Sequence, residues 1–176
     1  SPFSFIKLEN SVKFLSIGSG AWSIKEGFSF EQISMLIEKQ VPLIYSIGTI
    51  GSLSDFIGEG ILNSVSKEQH FVFNSVLNYL PLFYINQNTG ALTIREFGNN
   101  KKDVIATIQD EIVREVQYRG GYVNRILISY NQMKKESLLL KTFFEKMFAH
   151  TIVTMIENSP VMNSYLGSQS ISVSIS

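Results

Sequence analysis

Apolar residues recur at helical spacing over two long stretches, Lys101 to Arg119 and Gln132 to Glu157. Between them Tyr122 to Tyr130 is rich in β-branched and aromatic residues, which predicts a strand with Ile126, Ile128 and Tyr130 on one face. In the first helix Ile105, Ile108, Ile112, Val113 and Val116 form the buried stripe. Asn100 is its predicted cap, Asp103 favours its N-terminal dipole, and Gly120-Gly121 ends it. The second helix carries Leu139, Leu140, Phe143, Phe144, Met147, Phe148, Ile152, Met155 and Ile156, a stripe about half the circumference wide. A stripe that wide predicts a helix covered from two sides.

Earlier in the chain, residues 2–8 and 12–17 predict a strand pair, and Leu43 to Ile47 a buried strand between Pro42 and Gly48. Ser29 to Gln32, Ser52 to Asp55 and Ser66 to Gln69 each have the capping-box pattern and predict three further helix starts. Gly58 and Gly60 within the second of these imply close packing. Leu82 to Ile85 and Ala91 to Phe97 flank Asn86 to Gly90 as a hairpin. Ser170 to Ser176 alternates strictly, the period of a strand with one apolar face, placed either in its own sheet or on the edge of a neighbour's. The fold class expected is α+β, a mixed or antiparallel sheet with about four to five helices. Residues 1–157 form one domain, followed by an uncharged Ser- and Asn-rich tail, 158–176.

Composition adds an argument about surface. Apolar residues are 44% of the 176 and charged residues only 17%, so part of the exterior is expected to be covered by other protein subunits. The candidate interface is Phe144, Phe148, Ile152, Met155, Ile171, Val173 and Ile175. The leading expectation is therefore a non-enzymatic structural or assembly subunit of a larger oligomeric particle, a description that a viral or phage tail or capsid component fits. Fifteen basic residues balance fifteen acidic ones, so no net charge draws the chain to nucleic acid or membrane. A local basic face, Arg114, Arg119, Arg125, Lys134 and Lys135, offers a nucleic-acid contact as one alternative, against a solvated helix face with i,i+4 pairs such as Lys141 and Glu145.

Candidate chemistry is sparse. Phe14 to Trp22 has the strand-then-Gly-x-Gly opening of a nucleotide or S-adenosylmethionine site at Gly18 and Gly20, the other alternative. Trp22 and Ser23 stand where a third small residue is needed, so a plain turn is the simpler reading. His70 and His150 each lack a second ligand at i,i+3 or i,i+4, and no cysteine exists, so neither a metal site nor a cofactor is expected. Glu111 and Glu115 could pair for acid-base work, but Arg114 and Arg119 are nearer partners. No catalytic residue stands out. No signal peptide and no membrane span are seen, which points to a cytoplasmic product, or to a virion if the particle is viral.

Overall fold

The computed structural model describes residues 44–51, 80–85, 92–160, 163 and 166–176, with positions 29, 31, 32, 34, 35 and 39. Six strands form one mixed sheet: β1 (Tyr45–Ile50), β2 (Leu80–Ile85), β3 (Leu92–Gly98), β4 (Arg125–Asn131), β5 (Ile152–Glu157) and β6 (Ser170–Ile175). Their order across the sheet is β3-β2-β1-β6-β4-β5. Only β4 and β5 run parallel; every other pair is antiparallel. Two complete helices lie among the described residues, α1 (Lys101–Tyr118) and α2 (Lys134–Met147). The α+β class and the mixed sheet stand, with two complete helices described rather than four or five.

α1 forms as its sequence dictates. The Asn100 side chain accepts from the Asp103 amide at 3.0 Å, satisfying one of the N–H groups a helix start leaves free. Val104, Ile105, Ile108, Ile112 and Val116 are buried against β1, β2, β3 and β6. Gly120 and Gly121 follow with φ of 88° and 85°, left-handed conformations in which glycine carries no Cβ penalty. The capping box at residue 29 is also present: the Ser29 amide donates to Gln32 Oε1, and the Gln32 amide to Ser29 Oγ. The capping boxes at residues 52 and 66, the strands at 2–8 and 12–17, the Gly18 to Gly20 turn, Gly58, Gly60 and His70 lie outside the described residues.

The predicted helix from Gln132 to Glu157 is corrected. Gln132 adopts φ 53°, a left-handed residue that cannot sit in the helix, and α2 ends at Met147. A turn through His150 follows, and Ile152 to Glu157 is β5, so His150 is an exposed turn residue and not a helical one. Ile152, Val153 and Thr154 in succession are β-branched, which disfavours helix and suits a pleated strand. The over-wide stripe was therefore two elements read as one: Leu140 and Phe144 face the core from α2, while Val153 and Met155 pack on it from β5.

The strand expected at Leu43 to Ile47 runs instead from Tyr45 through Gly48 to Ile50. Gly48 does not end it. A Cβ there would stand 2.5 Å from the Ile171 carbonyl oxygen and 2.9 Å from Ser172 Cβ, and would meet the Phe83 ring closer still, so glycine lets β2 and β6 close on β1. β2 and β3 pair antiparallel, as expected for a hairpin, but β2 starts at Leu80 with Pro81 inside it and a register shift between Leu82 and Phe83, and the connecting residues 86–91 lie outside the described residues.

The tail supplies the centre of the sheet. β6 pairs with β1 from Tyr45↔Ile175 to Ile50↔Ser170, and with β4 from Ile126↔Ile175 to Asn131↔Ser170. Ile171, Val173 and Ile175 are fully buried in their own chain, beneath both helices. Their proposed place at a subunit interface is corrected, because nothing of them remains for a partner to touch.

Candidate functional site

One face of the sheet belongs to the helices. Ile47, Leu82, Tyr84, Ile126, Ile128, Tyr130, Ile171, Val173 and Ile175 join Val104, Ile108, Ile112, Leu140 and Phe144 in a single apolar cluster. Successive strand residues point to opposite sides, so Ser46, Gly48, Leu127, Ser129, Asn131, Ser170, Ser172 and Ser174 line the other face. Registers set them in rows: Ser46, Ser174 and Leu127; Gly48, Ser172 and Ser129; Ile50, Ser170 and Asn131.

This second face is small-chained, polar and buried. The hydroxyls of Ser46 and Ser174 lie 2.6 Å apart, and those of Ser129 and Ser172 2.7 Å apart. Asn158, which follows β5, donates its side-chain amide to Ser170 Oγ at 3.1 Å. Asn131 donates to the Gly167 carbonyl at 3.0 Å, and the Gly167 amide donates to the Asn163 carbonyl. Asn131, Asn158 and Asn163 thus gather where β4 and β5 end and β6 begins.

Two of these asparagines keep an unused acceptor. Asn158 Oδ1 and Asn163 Oδ1 are buried and receive no hydrogen bond from the protein. A buried carbonyl oxygen without a donor costs roughly 1 to 3 kcal/mol, so each is a place for a donor from outside the chain. Among the described residues the strip holds hydroxyl and amide groups and no carboxylate, and the one cation described on it, Arg125, stands at the far end of β4. Such a surface has the hydrogen-bonding capacity to orient a neutral polar group beside Leu127 and Phe83.

The other candidate residues are dispersed. Arg114 binds Glu111 at 2.5 Å and Arg119 binds Glu115 at 2.8 Å, the ion-paired helix face expected from their spacing. Lys141 pairs with Glu145 in the same way. Lys134 and Lys135 open α2, one strand length away from Arg125, about 20 Å along β4. The five basic residues therefore do not form one face. Phe144 is wholly buried, Phe148 and Met155 are half-buried, and Ile152 is exposed on the edge strand. Among the described residues no group of three or more metal-ligating side chains occurs, and no helix is long and apolar enough to cross a membrane.

No protein-family model and no curated protein matches the sequence. Solved structures do match the fold. A stearic-acid-binding protein from Eubacterium ventriosum superposes with a TM-score of 0.80 at 15% identity, over 96% of this chain and 56% of its own. The Fatty Acid Kinase (Fak) B3 protein of Streptococcus pneumoniae, loaded with linoleic acid, gives 0.76 at 16% identity, over 92% of this chain and 54% of its own. A DegV family protein from Ruminococcus gnavus gives 0.76 at 15% identity, over 92% and 55%. This chain has their fold. It spans little more than half the length of each.

The likeness overturns the expectation of a structural or assembly subunit, and with it the viral or phage particle. The abundant apolar residues that motivated it are accounted for in the described part by the strands β1, β2, β4 and β6, buried on both faces, which take up apolar side chains within this chain. Sequence reasoning also missed the serine face. Its one signal was Ser46 and Ser129 interrupting apolar strands at positions that match the serines of β6.

Proposed function

We propose that this chain forms one wall of a fatty-acid-binding site. The observation that carries the reading is the shared fold, at a TM-score of 0.80 over 96% of the chain, with a protein described as binding stearic acid. The buried strip of serines supports it, since small side chains leave depth for an acyl chain. The asparagine group at the end of the strip supports it further: Asn158 Oδ1 and Asn163 Oδ1 would accept from a protonated carboxyl or from a water carried with it. Because the chain spans 54–56% of these proteins, a second unit, on the same polypeptide or another, completes the site.

Native mass spectrometry of the purified protein, followed by calorimetric titration of the delipidated form with stearic acid, tests the reading. One long-chain fatty acid bound per chain, weakened by Asn158→Leu, is expected. A protein that neither retains a fatty acid nor binds one, alone or with the rest of its polypeptide, would overturn it.

A further inference from the structure

The two outer strands of the sheet, β3 and β5, are built differently. β3 carries Arg95 and Glu96 exposed, and its pairing with β2 shifts register between Leu82 and Phe83. Charges and an irregular ladder keep an edge strand from pairing with another chain. β5 has neither along its length. Its 6 residues, Ile152 to Glu157, pair with β4 without a shift and include no proline, no glycine and no basic side chain, with Glu157 the one charge, at the end. Ile152 is 60% exposed, Thr154 is exposed, and no described strand lies beyond them.

The backbone of β5 shows which groups are open. The Ile152 amide donates to the Asn124 carbonyl and the Asn158 amide to the Tyr130 carbonyl, both on the β4 side. Backbone groups alternate in direction along a strand, so Thr154 and Ile156 also turn theirs towards β4, whereas Val153, Met155 and Glu157 turn theirs outward. An antiparallel copy of β5 bonds to this edge when its own outward residues meet them. One such register sets Thr154 opposite its counterpart, Val153 opposite Met155 and Ile152 opposite Ile156. Every pair is then apolar with apolar or threonine with threonine, and the two Glu157 carboxylates stand at opposite ends, about 20 Å apart. Sliding the copy by two residues either way, to the next registers the backbone allows, sets Val153 against Glu157 or Met155 against Thr151.

The helix layer leaves room for this pairing. α2 packs on β4 and β5 alike, so it sits back from the edge. With the two sheets joined, the copies of α2 lie about 10 Å apart, close to the contact distance of packed helices.

We infer that β5 is a dimerisation edge, on which a second copy of this chain pairs antiparallel about a twofold axis at Thr154 and continues the sheet. A strand of another protein is the less favoured occupant, because β5 complements itself at each position from Ile152 to Ile156. The inference goes beyond the fatty-acid reading and does not depend on it.

The chain has no cysteine, so introduced thiols report on this pairing alone. Thr154→Cys puts two thiols in a non-hydrogen-bonded pair with Cα atoms about 4.5 Å apart, within disulfide reach. Ile152→Cys is the control, since in this register its Cα lies about 13 Å from its counterpart, out of reach. Sedimentation equilibrium of the parent is expected to show a reversible dimer, which Thr154→Lys weakens by at least about tenfold by setting two like charges face to face. Mild oxidation is expected to cross-link Thr154→Cys at least about tenfold faster than Ile152→Cys. Circular dichroism confirms that each variant is folded. A parent that is monomeric at every concentration, a dimer that Thr154→Lys leaves intact, or equal cross-linking of the two cysteine variants overturns the proposal. Stearic acid titration of the parent reports on the other reading separately: a dimer that binds no fatty acid removes the function proposed above and leaves the β5 edge standing.

Discussion

Ser46 and Ser174 face each other across β1 and β6 with hydroxyl oxygens 2.6 Å apart, both buried and 128 residues apart in sequence. Each is the other's partner in a place closed to water. Ser46→Ala strands the Ser174 hydroxyl and should cost about 1 to 3 kcal/mol, whereas Ser46→Ala/Ser174→Ala should cost less than the sum of the two single changes. Urea denaturation of the three variants measures both quantities, and additive losses would contradict the pairing.

How far this architecture is legible in the sequence depends on the range of the interactions that set it. α1 is readable because everything it needs is local: Asn100 at its start, isoleucines every third or fourth residue, and Gly120-Gly121 at its end. β5 is hidden because Met155 and Ile156 happen to continue the helical spacing of Phe144, Met147 and Phe148. Only the β-branched run Ile152-Val153-Thr154 marks the change, and the helical periodicity runs straight through it. The serine face is unreadable for another reason. Alternation in β6 looks half-solvated until Ser46 and Ser129, 128 and 43 residues away from their partners, are known to hydrogen-bond its serines from the two flanking strands.

Gly48 lies where three strands crowd together. Gly48→Ala forces its new methyl group against the Phe83 ring, the Ile171 carbonyl and Ser172, and should destabilise by about 1 to 3 kcal/mol. Adding Phe83→Leu relieves the side-chain part of the clash and should recover some of that loss. Recovery is incomplete, because the Ile171 carbonyl oxygen belongs to the backbone and cannot retreat as a ring can. Thermal melts of the single and double variants check this ordering.

Thr49 sits on the helix-covered face between Leu82 and Ile171, fully buried, and its hydroxyl has no partner. Thr49→Val keeps the branched shape and removes the stranded oxygen, so it should stabilise by about 1 kcal/mol. A rise in the urea midpoint with an unchanged slope is the expected result. A loss of stability would mean that the hydroxyl is satisfied in solution.

Tyr45 and Tyr84 stack edge to face with ring centres 6.2 Å apart, and Arg95 lies 4.6 Å above the Tyr84 ring. Burial, reinforced by Glu111 and Glu96, pushes the Tyr84 hydroxyl from 10.0 up to about 12, against the opposing pull of Arg95 and Arg114. Burial also raises Tyr45, with Tyr84 adding to the effect. The folded state therefore holds these protons more tightly than the unfolded chain. Stability should be intact below pH 10 and fall from there towards pH 12, as the unfolded tyrosines ionise first. Tyr84→Phe should flatten that decline, which denaturation curves at successive alkaline pH values would reveal.

The position of β6 also sets an order of events during synthesis. A ribosome releases β1, β2 and β3, then β4 and β5, before the strand that lies between the two groups exists. Until Ser170 to Ile175 emerges, β1 and β4 would each present an unpaired backbone edge, the template on which chains aggregate. Closure then joins segments more than a hundred residues apart, a contact pattern associated with slow folding. Between the release of Glu157 and that of Ser170 the nascent chain thus holds two incomplete half-sheets, and β6 then closes both exposed edges in one step.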